Sequence, residues 1–151
     1  MEAYLTISGY VGGDVEFRRT ERTSTPRATF RLACTPRVRR LGAWTDDPTT
    51  WLTVTCWRAL AEHVAESFHR GDAVTVVGRV RTQVWTDAEG EQQTRTVVEA
   101  TTAGHDLTRG VASFRRAARS EPQETDDREV GEMITKVETE LDQTREAEAV
   151  G

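Results

Sequence analysis

Trp51 and Trp57 bracket a stretch, Trp51-Leu52-Thr53-Val54-Thr55-Cys56-Trp57, in which residue character alternates position by position. A period of two predicts a β-strand with side chains on opposite faces. Leu52, Val54 and Cys56 then form a core face. Thr53 and Thr55, at home in water, share the other face with two indoles that stand roughly 20 Å apart at about 3.3 Å per residue. The same inside-out choice recurs twice. Arg27, Thr29, Arg31, Thr35 and Arg37 alternate with Ala28, Phe30, Leu32 and Cys34, and Arg79, Arg81, Gln83 and Trp85 stand opposite Val74, Val76, Gly78 and Val80.

Indoles offer flat apolar surfaces to flat rings, and guanidinium groups pair with phosphate oxygens through a planar fork of donors. A single-stranded nucleic acid needs both: cations along its backbone and stacking surfaces for its bases, each worth about 1–3 kcal/mol. The candidate binding residues are therefore Trp51, Trp57 and Trp85, with Arg27, Arg31, Arg37, Arg79 and Arg81, and Trp44 as a further candidate from a loop. A single tryptophan on a polar face is as readily explained by packing under a loop or at a subunit contact. Three of them beside arginines are not.

Other chemistries lack their residues. The first lysine is Lys136, so the preceding chain has no phosphate-loop lysine, and Gly9 with Gly12-Gly13 does not make a dinucleotide fingerprint. His63 and His69 have the wrong spacing for a zinc protease helix, and no Ser or Cys has a persuasive His partner. No enzyme, cofactor or metal is expected. Cys34 and Cys56 form no CxxC pattern, which argues against a zinc site or a disulfide framework. Both should face inward near the base of one hairpin, where a cross-strand contact is open to them. Their default state is that of small buried hydrophobes.

The elements that must position these side chains follow in order. Residues 3–11 alternate as a first strand, Gly12-Gly13-Asp14 bends the chain, and residues 15–18 continue that strand beyond the bend. After a polar loop at 20–26, residues 27–37 form the second strand. A long hairpin loop containing Arg39, Arg40, Gly42, Trp44 and Asp46-Asp47-Pro48 leads to the third strand at 51–57. Leu60, Ala61, Val64, Ala65 and Phe68 make one apolar stripe, which predicts a helix over 58–70 with Gly71 as its C-terminal cap. Residues 73–85 and 92–103 form two more strands joined by an Asp87-Ala88-Glu89-Gly90 turn. For residues 104–119 a short helix and a further strand both stay open.

Five strands with a helix between the third and fourth is the order of an OB-fold barrel, an all-β architecture whose exposed face binds oligonucleotides. Residues 1–119 would form that domain. Charge divides at the same place. Residues 1–119 hold 17 Arg and 14 acids, a balance of +3, whereas residues 120–151 hold 3 bases and 11 acids, a balance of −8. A basic body suits a polyanionic ligand, and 120–151 reads as an acidic linker or tail. Val130, Ile134, Val137 and Leu141 within it have heptad-like spacing, consistent with a helix around 128–146 or with a disordered tail. The start lacks the basic head and apolar run of a signal peptide, and no stretch approaches a membrane span. A cytoplasmic chain without membrane contact is expected.

Several of these stretches together resemble the bacterial single-stranded DNA-binding protein family. They are Gly9-Tyr10-Val11-Gly12-Gly13-Asp14, Thr50-Trp51 through Trp57-Arg58-Ala59-Leu60-Ala61, Arg70-Gly71-Asp72, Val77-Gly78-Arg79-Val80-Arg81-Thr82 and Trp85-Thr86-Asp87. The resemblance covers about residues 3–110. It implies a homo-oligomer, commonly a tetramer, that coats single-stranded DNA without strong sequence preference in replication, repair or recombination. It places stacking aromatics at Trp51, Trp57 and Trp85. From Gly104-His105-Asp106-Leu107 onward the chain is similar to the extra segment of actinobacterial members, which can clamp subunits together. It departs from the family at residues 145–151, Arg-Glu-Ala-Glu-Ala-Val-Gly, where members usually carry aspartates and Ile-Pro-Phe for partner proteins. A specialised paralogue with a different tail partner, or none, is the expectation. An OB-fold protein-interaction module and an RNA-binding module remain the alternatives.

Overall fold

The computed structural model describes residues 1–118. Their elements are β1 Tyr4–Val11, β2 Glu16–Arg19, β3 Pro26–Cys34, β4 Arg37–Arg40, β5 Ala43–Asp46, β6 Thr50–Trp57, α1 Arg58–Ser67, β7 Ala73–Thr86 and β8 Gln92–His105. One sheet runs in the order β1-β7-β8-β6-β3-β2, and β1 also pairs with β3, so the ladder returns on itself. The pairings are antiparallel except β6 with β8, which run parallel at Val54↔Val98 and Thr55↔Glu99. β1, β3, β6, β7 and β8 are the five expected strands, with the helix in the expected interval. β2 continues β1 past the bend: Val11 faces Leu32 and Glu16 faces Thr29, so both run the same way along β3.

The alternation sorts as expected on the inner face. Ala28, Leu32, Val54, Cys56, Val74 and Val76 are fully buried, and Phe30 nearly so. Ala61, Val64 and Phe68 bring the helix onto the same core. On the outer face two expectations fail. Thr53 and Thr55 are buried, at 7% and 1% exposure. β6 lies between β3 and β8, so Thr55 has Thr29 on one side and Glu99 on the other. A short side chain at the middle of a sheet is shielded by the strands on both sides of it.

Other boundaries move for local reasons. The second strand stops at Cys34, ahead of Pro36, which has no amide to give a ladder. Arg37 instead opens β4. The long loop is itself a hairpin, with Arg37↔Asp46, Val38↔Thr45, Arg39↔Trp44 and Arg40↔Ala43 in register. Its turn places Leu41 at φ 50° and Gly42 at φ 82°, the pair of positive angles that matches strand twist in a two-residue hairpin. α1 ends at Ser67 rather than at residue 70, because Phe68 turns extended (φ −98°, ψ 133°) and sets its ring edge-on to Phe30, centroids 5.7 Å apart. Gly71 does adopt positive φ, at 90°. It serves the turn into β7, its amide donating to the Val11 carbonyl at 2.7 Å. Residues 106–118 form neither the helix nor the strand left open for them.

The cysteine contact is excluded by register. Cys34 pairs with Thr50 and Cys56 with Ala28, at opposite ends of the β3–β6 ladder. Both thiols are free. Burial pushes Cys56 up to about 12 and raises Cys34 as well, so both stay protonated and unreactive near neutrality. The acidic segment 120–151 and its 130–141 stripe lie outside the described residues.

Candidate nucleic-acid interface

The outer face of β3 and β6 holds two arginine–tryptophan pairs. Arg27 lies directly across the ladder from Trp57, and its guanidinium carbon is 5.5 Å from the ring centroid. Arg31 sits diagonally from Trp51, also at 5.5 Å. Guanidinium over indole is a cation–π arrangement, which fixes both groups against the sheet. A third pair sits on the arm formed by β7 and β8: Arg95 lies 5.7 Å from the Trp85 ring and donates to Gln83 Oε1 at 3.0 Å. Arg95 was absent from the sequence-derived set. Adjacent Val97 and Val98 are both apolar and both buried, which leaves the phase of β8 open in the sequence; the register that sets Arg95 opposite Gln83 puts it on the Trp85 face.

Trp51 is half exposed, and its ring rests on Gly12. A Cβ built at Gly12 would come to 2.4 Å from Cζ3 of that indole. Gly12 is thus a floor for the ring, supplied by the bend between β1 and β2. Gly12→Ala should leave the melting temperature within a few degrees, because the far end of the indole can swing outward. The same variant should shift Trp fluorescence and displace Trp51 from Arg31. An unchanged emission spectrum would contradict this packing.

Trp57 closes β6, and Arg58 then takes φ 56°. A non-glycine residue in the left-handed region costs about 1–3 kcal/mol and marks a position held by its surroundings. Here it turns strand directly into helix and leaves Trp57 beside a pocket of about 710 Å³ bordered by residues 20–23, Thr25, Arg58 and Glu99. Arg22 and Arg58 add two cations to this border that the sequence-derived set did not contain.

Across the outer face the row Thr29, Thr55, Glu99, Arg79 links β3, β6, β8 and β7. Arg79 is engaged at both ends. Nη2 bonds to Glu99 Oε1 and Nη1 lies 3.2 Å from Glu2 Oε1, which also accepts from Arg81 Nη2 at 2.6 Å. The bond to Glu99 raises the Arg79 pKa above its ordinary value. Among the described residues, Arg27 Nε, Thr55 Oγ1 and Arg79 Nε are buried polar atoms without a partner on the chain. All three belong to this one face, and buried polar atoms ordinarily find a partner in protein, water or ligand.

The remaining candidates stand apart. Arg37 and Trp44 belong to the separate β4–β5 sheet, where Arg37 pairs with Asp46 at 3.4 Å. Trp44 is 62% exposed and lies opposite Arg39. The structure therefore gathers Trp51, Trp57, Arg27, Arg31, Arg79 and Arg81 on one sheet face, extends it to Trp85 along the arm, and leaves Arg37 and Trp44 on a neighbouring hairpin. No group of three metal-ligating side chains occurs among the described residues, and no helix there is long and apolar enough to cross a membrane.

Known proteins are similar to this chain in sequence and fold. The single-strand binding protein family matches residues 3–106. Single-stranded DNA-binding protein 1 of Streptomyces coelicolor is 46% identical over 99 residues, covering 64% of this chain and 62% of that protein. Single-stranded DNA-binding protein 2 of Tropheryma whipplei is 32% identical over 138 residues, 90% of each chain. The chain thus spans less than two thirds of the Streptomyces relative and nearly all of the Tropheryma one. The crystal structure of a small single-stranded DNA-binding protein from Streptomyces coelicolor superposes with a TM-score of 0.62 at 36% identity, covering 72% of this chain and 98% of that one. With the strand order above, that likeness makes the fold an all-β OB-fold carrying one helix. The match over residues 3–106, the relatives and the shared architecture agree: the chain belongs to the single-strand binding protein family.

Proposed function

We propose that the outer face of β3, β6, β7 and β8 binds single-stranded DNA without strong sequence preference. Bases stack on Trp51, Trp57 and Trp85, while Arg27, Arg31, Arg79 and Arg81 meet phosphates. Arg95 joins them at Trp85, and Arg37 and Trp44 extend the path onto the β4–β5 hairpin. The observation that carries this reading is the pairing of arginine with tryptophan three times on one sheet face. Relatives named for single-stranded DNA binding support it independently. Each guanidinium covers one face of its indole, so a base takes the other face or replaces the arginine, which then turns to the backbone.

The same reading makes the protein a cytoplasmic homo-oligomer, a tetramer by family resemblance, that protects single strands in replication, repair or recombination. Titration with oligo-dT at several salt concentrations tests it. Trp fluorescence should fall on binding, and log K should decline linearly with log salt as arginine–phosphate contacts release counterions. Oligo-U and duplex DNA should bind more weakly than oligo-dT. Unchanged fluorescence and no complex at low salt would overturn the reading; equal binding of duplex would favour nonspecific charge attraction instead.

A further inference from the structure

Arg79 and Arg81 lie two residues apart on β7, so their side chains emerge on the same face, and both reach one oxygen of Glu2. The other Glu2 oxygen accepts the Tyr4 hydroxyl at 2.8 Å. Two guanidinium groups converging on one oxygen, with a hydroxyl on the next, is equally an arrangement for a phosphate. We propose that the Arg79–Arg81 fork is a single-phosphate subsite which the Glu2 carboxylate fills in the free protein, so that DNA enters there by exchanging with Glu2. This rests on the single-stranded DNA reading above and names an affinity-setting residue within it.

The two carboxylates on the fork are not equivalent. Glu99 belongs to β8 and is bracketed by ladders to β7 and β6, so its bond to Arg79 holds that side chain in place. Glu2 precedes β1, and the nearest backbone tie is the Ala3 carbonyl accepting from the Val80 amide at 2.8 Å. Rotation of the Glu2 side chain frees both arginines without breaking a strand pair. The side chains are open enough for exchange, with relative exposures of 34% for Glu2, 29% for Arg79 and 41% for Arg81.

Charge gives the exchange its consequence. Arg79, Arg81, Glu2 and Glu99 sum to zero, so the occupied fork offers a strand no net attraction. Once Glu2 withdraws, a charge of +1 remains, which one phosphodiester neutralises. Hydrogen bonds from Tyr4 and from Arg81 hold the Glu2 carboxyl below its ordinary pKa, so it stays ionised at neutral pH and competes there. A built-in competitor lowers affinity and removes about one contact from the salt dependence.

Glu2→Gln, titrated with oligo-dT over a range of salt, should bind several-fold tighter at low salt. The magnitude of its log K against log salt slope should exceed that of the unaltered protein by about 0.7, the increment for one further phosphate contact on a single strand. Glu89→Gln makes the same change of charge in the turn of the arm, away from the fork, and should give less than half of either effect. Trp51→Ala in the same series separates the two readings. If Trp51→Ala binds as the unaltered protein does, the stacking reading fails. If Trp51→Ala weakens binding while Glu2→Gln binds equally or more weakly, or no more tightly than Glu89→Gln, the exchange at Glu2 is overturned and the DNA reading stands.

Discussion

Trp51→Ala is expected to weaken binding of oligo-dT by roughly 5- to 150-fold, the loss of about 1–3 kcal/mol of stacking from one base. The ring is 50% exposed. It is held from below by the backbone at Gly12 and flanked by Arg31, so it is set in place before a base arrives. A surface so fixed adds little ordering cost to binding, which is why truncation should fall on affinity. Little of the core is lost with the ring, and the melting temperature should move by only a few degrees. Trp57→Ala should act in the same direction, and a flat aromatic at position 51, as in Trp51→Phe, should recover part of the loss. Fluorescence anisotropy of labelled oligo-dT measures this directly. Full affinity in a folded Trp51→Ala protein would remove the stacking platform from the account.

Leu32→Ala and Arg31→Ala, neighbours on β3, are expected to have opposite consequences. Leu32 is fully buried and faces Leu52 across the ladder. Its truncation deletes buried methyl groups and leaves a cavity, a cost of about 2–5 kcal/mol. Against a typical stability of about 5–15 kcal/mol, that should lower the thermal midpoint by many degrees. Arg31 is exposed on the other side of the same strand and lies over Trp51. Arg31→Ala should leave the midpoint nearly unchanged, lower affinity for oligo-dT and reduce its salt dependence. Calorimetry alongside the binding titration resolves the pair. Unfolding by Arg31→Ala, or a Leu32→Ala protein as stable as its parent, would contradict the division of the sheet into a packing face and a binding face.

The sorting of side chains into an inward and an outward face was readable in advance because it is local. Successive side chains on a strand point to opposite faces, so Ala28, Phe30 and Leu32 could be separated from Arg27 and Arg31 without knowing what lay alongside. Gly90 at φ 83° and the β7–β8 arm followed from turn chemistry on the same footing. Misplaced features involved competition between local preference and packing. Phe68 left the helix to meet Phe30, and Leu41 accepted positive φ so that β4 and β5 could pair.

Alternation along the chain was enough to choose the core residues and the tryptophans and arginines of the outer face, because a period of two needs no partner. Which of those outward residues meet required strand order and register. β6 between β3 and β8 buries Thr53 and Thr55; the β3–β6 register sets Arg27 over Trp57 and keeps Cys34 far from Cys56. Antiparallel pairing of β7 with β8 brings Arg95 to Trp85 and Glu99 to Arg79. Pairing of β1 with β7 carries Glu2 to arginines 77 and 79 positions away. Contacts at such separations depend on how the whole sheet closes its hydrogen bonds, and no residue pattern within one segment specifies them.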